Sequence, residues 1–184
     1  LLSDIEDVEQ KINAAEIDLD EQVESLIVRR QPIASDLRLV LAVSKIVRDL
    51  ERMGDELEKV GKLSLESFDS SDDVGITEIQ RIAEQVAKML SESLTAFARL
   101  DIDLARDIFE RERKVDKVYQ SALRSLATFM IEDPRNIGRV LNIVWIARSL
   151  ERVGDHATNI AEYVIYLVQG VDVRHPSVNE NSFT

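Results

Sequence analysis

The chain has 184 residues, 35 Asp and Glu against 23 Lys and Arg, a net charge of −12 and no cysteine. The acidic balance excludes a protein that holds nucleic acid through clustered phosphate contacts. The lack of thiols excludes disulfides, thiolate metal sites and cysteine nucleophiles together, and fits a reducing compartment.

Six glycines and three prolines, among long runs of Leu, Ile, Val, Ala, Glu, Arg and Lys, predict an all-α protein. Residues 1–30 read as a first helix, with Ile5, Val8, Ile12, Ala15, Leu19, Val23, Leu26 and Ile27 spaced mostly by three and four. Arg29 and Arg30 cap its tip in solvent, and Pro32 stops it, because proline disfavours helix at the preceding residue. Either Pro32 or Ser35 starts a second helix, which runs to about residue 66 on a wide stripe from Leu37 to Val60. The polar segment SFDSSDDVG at 67–75 has no period and several breakers, so it reads as a linker. A third helix at 76–100 carries Ile79, Ile82, Val86, Met89, Leu90, Leu94 and Phe97, and a turn follows at 99–103. A fourth at 104–131 packs Ile108, Val115, Val118, Tyr119, Ala122, Leu126 and Phe129, and ends at Glu132-Asp133-Pro134. The fifth, 135–169, stops at Gly170, a usual C-cap residue. Its single tryptophan, Trp145, is placed in the core with Leu141, Ile143 and Val144, and 171–184 reads as a loose polar tail. No apolar run approaches the 18 or so residues of a membrane span, and no export leader opens the chain.

One stretch is written twice, RDLERMGDELEKV at 48–60 and RSLERVGDHATNI at 148–160. Residues 104–120 also align with 1–17, at an offset of 103, placing Glu9 on Glu112 and Asn13 on Asp116. The helix at 76–100 has no counterpart before residue 1. The expected architecture is therefore a tandem repeat of antiparallel three-helix bundles: 1–66, holding only the second and third helices of its unit; the linker 67–75; 76–170, complete; and the tail 171–184. Ile5, Ile12, Leu19, Leu41 and Val60 would then need cover, from a second copy or from a preceding helix.

Taking each half as a hairpin places Glu112 and Asp116 level with Asp155 and Glu151, because the midpoint of the four is the Asp133-Pro134 turn. The midpoint of Glu9, Asn13, Glu51 and Asp55 is likewise Pro32, so both sets lie about 30 Å from their turns at ~1.5 Å rise per residue. Carboxylates that converge between helices repel unless a cation joins them, and oxygen-only ligation suits Mg²⁺, Mn²⁺, Ca²⁺ or oxidised iron. Asn13 lowers the charge of the first set. A zinc site of the catalytic kind is disfavoured, with His156 beside one motif and His175 in the tail as the sole histidines. Arg48 and Arg148 are expected to make local ion pairs with the signature glutamates, a role in holding phosphate being the alternative, and Gly54 and Gly154 are expected to admit a close helix.

At RRQPIASDLRLVLAVSKIVRDLERMGD (29–55), AFARLDIDLARDIF (96–109), KVDKVY (114–119) and ARSLERVGDHATNI (147–160) the chain resembles the PhoU family of bacterial phosphate-signalling regulators. The resemblance implies two three-helix bundles in tandem and an absent N-terminal helix. It implies metal held by Glu9, Glu51 and Asp55 in the first half, with Asn13 a departure from the motif, and by Glu112, Asp116, Glu151 and Asp155 in the second. It further implies a non-enzymatic negative regulator of phosphate uptake and of the phosphate-starvation response. Such a protein is cytoplasmic, commonly dimeric, and links the ATPase subunit of a phosphate ABC transporter to a sensor histidine kinase, reaching the inner membrane only through them. A carboxylate-bridged oxidase resembling ferritin-like proteins is the competing class, and it would usually place histidines among the acids.

Overall fold

The computed structural model describes residues 2–67 and 75–170, with side chains from residue 5 onward. Its helices are α1 (Leu2–Arg30), α2 (Ser35–Ser67), α3 (Ile76–Arg99), α4 (Ile102–Glu132) and α5 (Ile137–Gln169), with a 3₁₀ turn at Pro134–Asn136. The expected linker, apart from its two end residues, and the expected tail with His175 lie outside the described residues.

Local chemistry sets the helix boundaries. Ser35, not Pro32, opens α2, after a turn in which Gln31 and Ala34 take positive φ. Gly75 caps α3 at φ 76°, where a Cβ would stand 3.0 Å from both Ile143 and Leu126, so conformation and space both require glycine. Leu100 ends α3 in the left-handed region, its N–H donating to the Ala96 and Phe97 carbonyls, and the Asp101 carboxylate caps α4 by accepting the Leu104 N–H at 3.0 Å. Asp133 closes the α4–α5 corner by accepting from the backbone and guanidinium of Arg135.

Helices α3, α4 and α5 pack pairwise as a three-helix bundle around Ile82, Val86, Met89, Ile108, Val115, Leu126, Ile143 and Ile160. Helix α1 packs on α2 alone among the described elements, and none of its described residues is fully buried. An apolar groove of about 260 Å³ opens between them, lined by Ile12, Ala15, Leu19, Val47, Leu50 and Leu57. This is the position that α3 occupies in the other half. Val60, expected to need cover, instead packs against the main core, because α2 also turns a face to α5.

That α2–α5 contact joins the halves. On α2 the residues Ala42, Ile46, Asp49, Met53, Glu56, Val60, Leu63 and Ser67 alternate by four and three, and on α5 Ile146, Ser149, Val153, His156, Ile160 and Tyr163 do the same. This is the seam pattern of an antiparallel helix pair. His156 Nδ1 lies 2.7 Å from Asp49 Oδ1, and Asn159 donates to the same oxygen at 3.0 Å. Glu56 lies 2.6 Å from Arg152 and 3.0 Å from Lys59, and also takes a hydrogen bond from Ser149. The 100-residue repeat maps Asp49 on Ser149 and Glu56 on His156, so the two polar clusters are one arrangement repeated about a local two-fold. Burial raises the Glu56 pKa, but Ser149, Lys59 and Arg152 outweigh it and hold the carboxyl below its usual value.

Some expectations about packing fail. Trp145 is 61% exposed, not core. In the run LNIVWIA at 141–147 apolar residues fill the whole turn, so periodicity could not say which face is buried; Ile143, Ile146 and Ala147 take the core and turn Trp145 outward. Phe129, near the end of α4, is 37% exposed.

A Cβ on Gly154 would meet Val86 and Met89 at 3.6 and 3.8 Å, ordinary contact, whereas on Gly54 it would stand 3.3 Å from Ile12. The close approach expected at both glycines therefore holds at Gly54 alone. Gly154→Ala is expected to stabilise the protein by up to ~1 kcal/mol through helix propensity, raising the Tm in a thermal melt by about 2–4 °C; Gly54→Ala is expected to gain less, because Ile12 must shift. Asp49→Ala strips His156 and Asn159 of their shared acceptor and is expected to cost about 1–3 kcal/mol. An unchanged denaturation midpoint in that variant would mean that the apolar seam positions suffice.

Candidate functional site

In the second half, Glu112 and Asp116 of α4 stand near Glu151 and Asp155 of α5: the charges of Asp116 and Asp155 act on both Glu112 and Glu151, and that of Asp116 acts on Asp155. Glu112 and Glu151 are half-buried, while Asp116 and Asp155 reach solvent. Loss of water, then Asp116, Asp155 and Glu162, push the Glu112 carboxyl up to about 7. The Glu151 carboxyl is raised by burial and then by Asp155, although Arg148 donates to both of its oxygens at 2.7 and 2.6 Å. That is the local ion pair expected of Arg148. Asp155 is also raised, by partial desolvation at its base, with Arg148 pulling against Asp116.

In the first half, Glu9 and Asn13 of α1 look towards Glu51 and Asp55 of α2, all partly buried. Burial raises the Glu51 carboxyl, followed by the charges of Asp55 and Glu16. The Asn13 amide donates to Glu9 Oε1 at 2.6 Å, and its own Oδ1 is buried with no hydrogen-bond partner. A buried acceptor without a donor fits a cation site, and the donor chemistry of both sets is that of hard ions. Among the described residues no three His, Asp or Glu side chains lie close enough together to hold a metal ion.

Sequence reasoning missed Glu16 and Glu162, which add negative charge beside the first and second sets respectively. The signal is their helical spacing from Asn13 and Asp155, three and seven residues on, which the Glu-x-x-x-Asp pattern does not include. Position 62, the repeat partner of Glu162, is Lys62, which lies 2.7 Å from Glu58 and whose charge also faces Glu6 and Glu9. The halves are thus electrostatically unlike.

The raised Glu112 pKa has a sign. Between its ordinary value of 4.5 and about 7 the folded state binds more protons than the unfolded, so its contribution to stability is present in full below pH 4.5 and is lost as pH rises through about 7. The metal-free protein is expected to lose stability over that window, by about 1–2 kcal/mol after solvent screening, and Glu112→Gln is expected to flatten the slope. Chemical denaturation at pH 5 and pH 8 of the chelator-treated protein checks this; a parallel pH slope in the two proteins would place the carboxyl in water.

The comparisons with known proteins agree with this architecture. The PhoU domain family matches residues 1–64 and 79–164. The chain is 50% identical over 176 residues to the phosphate-specific transport system accessory protein PhoU homolog of Pseudomonas aeruginosa, covering 95% of this chain and 73% of that one. It is 40% identical over 172 residues to the phosphate-specific transport system accessory protein PhoU of Escherichia coli (strain K12), covering 94% and 71%. The crystal structure of PhoU from Pseudomonas aeruginosa superposes with a TM-score of 0.87 at 49% identity, over 92% of this chain and 82% of that one. The PhoU regulatory protein from Streptococcus pneumoniae shares the fold, with a TM-score of 0.82 at 24% identity, over 94% and 81%. With a family match across both helical halves and relatives of this identity, the chain belongs to the PhoU family.

Proposed function

We propose that this protein is an accessory regulator of phosphate-specific transport and a negative regulator of the phosphate-starvation response, working without catalysis. The observation that carries the reading is its likeness, over 94–95% of its length, to proteins named as accessories of the phosphate-specific transport system. The surface supports an adaptor: five long helices, and among the described residues no helix long and apolar enough to cross a membrane. Its partners in this reading are the transporter's ATPase subunit and the sensor histidine kinase of the phosphate two-component system, met at the inner membrane by a cytoplasmic homodimer.

Metal is part of the proposal. Glu112, Asp116, Glu151 and Asp155 would hold one set of ions, and Glu9, Glu51 and Asp55 with Asn13 the other; Mg²⁺, Mn²⁺ and iron all suit the oxygen donors. A bound cation would neutralise the repulsion that raises Glu112 and Glu151, drawing the acids together by side-chain rotation and tying α4 to α5. The ferritin-like alternative loses support here, because His156 is engaged with Asp49 across the seam and does not join the acids.

The experiment is a pair of doubles. Glu151→Gln with Asp155→Asn is expected to remove more Mn²⁺ or iron, by elemental analysis of the purified protein, than Glu51→Gln with Asp55→Asn, and unchanged content in the first double would sink metal binding by these acids. Complementation of a strain lacking the gene tests regulation independently: the wild-type chain should restore repression of phosphate-starvation genes at high phosphate, and failure to do so would sink the regulatory reading.

A further inference from the structure

The two ends of the α2–α5 seam meet water differently. At one end Lys45 of α2 stands 5.8 Å from the ring centre of Tyr163 of α5, an exposed cation over a partly buried aromatic, which is ordinary solvated surface. The repeat maps Lys45 on Trp145 and Tyr163 on Leu63. At the second end the cation is thus replaced by an indole, 61% exposed, and the ring by partly buried Leu63. Trp145 and Leu63 line an open groove of about 360 Å³ with Lys59 and Lys62. Trp145 also lines a second, of about 330 Å³, with Lys59, Arg148 and Arg152.

On a chain of net charge −12, these grooves reverse the local sign. Four cations line them against one carboxylate, Glu56, which Lys59 and Arg152 share at 3.0 and 2.6 Å. Arg148 and Lys62 pair with Glu151 and Glu58, which lie outside the grooves. All four cations keep roughly half of their side-chain surface in water. A guanidinium carries five N–H donors, and Arg148 and Arg152 are each held to their acids through one terminal nitrogen, Nη1.

The shape of that charge selects the occupant. A second copy meeting this surface about a two-fold axis would set these cations against their own kind, which is repulsive. A nucleic acid or an anionic bilayer presents negative charge over a broad area and would oppose the acidic remainder of the chain. A small anion would use the cations and leave Trp145 and Leu63 in water. A short acidic segment with an apolar side chain uses both, and tryptophan and arginine are the residues on which such interfaces concentrate their energy. We propose that the surface centred on Trp145 docks an acidic segment of a partner protein, an apolar side chain of the segment lying against the indole and Leu63 and its carboxylates on Lys59, Lys62, Arg148 and Arg152. The proposal rests on the adaptor reading above in taking the occupant to be a protein, and it gives that reading a contact surface.

The protein has a single tryptophan, so its emission reports this surface alone. The probes are short synthetic peptides of Asp and Glu around one Leu or Phe, titrated into the full chain. They are expected to shift the Trp145 emission, less so as salt rises. Peptides with Lys in place of the acids should leave it unmoved, wherever else on the chain they bind. With the tightest acidic peptide labelled for anisotropy, Trp145→Ala should weaken binding by at least about tenfold and Lys62→Ala by about threefold. Arg106→Ala, which removes an exposed cation near the start of α4, should leave it unchanged. Unchanged helical circular dichroism certifies the fold of each variant. No emission change with any acidic peptide, or equal binding by Trp145→Ala, would overturn the proposal. So would a shift produced by inorganic phosphate or by vesicles of anionic lipid and not by the peptides, which assigns the surface to a small anion or a bilayer. In the complementation strain, Trp145→Ala with Lys62→Ala should lose repression at high phosphate. If that double represses as the wild type does, the docking surface falls and the regulatory reading stands. If the wild type itself fails, the regulatory reading falls, and the titration decides the surface by itself.

Discussion

Everything in this fold hangs on the seam between α2 and α5. Helix α2 must satisfy α1 and α5 at once, and α5 must satisfy α3, α4 and α2. The seam is not a plain apolar zipper, since Asp49, Glu56, Ser149 and His156 sit at positions where a coiled coil would carry Leu or Val. Sliding the helices by one turn would bury Asp49 and Glu56 away from their partners, and breaking a buried charged pair costs about 3–5 kcal/mol. Apolar positions supply adhesion here, and the polar ones supply register. With the register held, the carboxylates on the outer faces of α2 and α5 are held as well, so the geometry of both acidic sites is set from the centre of the molecule outwards.

The two sites are related by the repeat and differ in their electrostatics. The second half gathers four carboxylates with Glu162 beyond them, and it offsets them locally through Arg148. The first half gives up a charge at Asn13, places Lys62 at the end near Glu9 and carries Glu16 at the other end. Repulsion of this kind is a cost for the metal-free protein and the source of any stabilisation by a bound ion, because a ligand stabilises a fold by its affinity for the folded state. Under the proposed reading, an ion held between these acids would couple its binding to the angle between the helices.

The exposed side of the molecule also carries information. Trp145 stands beside Lys59, Arg148 and Arg152 on a protein whose net charge is −12. Ile143, Ile146 and Ala147 take the bundle interior, and Trp145, between them along the helix, is left on the opposite face. On α1 none of the described residues is fully buried. With α2 as its sole neighbour among the described helices, Val8 and Ile17 remain more than half exposed, and the groove beside Leu19 stays open.

The amino-acid sequence by itself determined the helices, their ends, the tandem repeat and the family. These are local or periodic properties: proline and glycine stop helices through their own backbone chemistry, and a doubled signature needs no folding to be read. It also placed Glu112 and Asp116 level with Asp155 and Glu151, because an antiparallel hairpin converts sequence distance from the turn into height. The tertiary structure alone decided which face of a wholly apolar turn is buried, as at Trp145, and that Asp49 meets His156 more than 100 residues away. It alone showed Asn13 with an orphaned oxygen and Glu16 beside Glu51. Such pairings depend on how two helices rotate against each other, and that rotation is set by the packing of a third element that no spacing along one helix encodes.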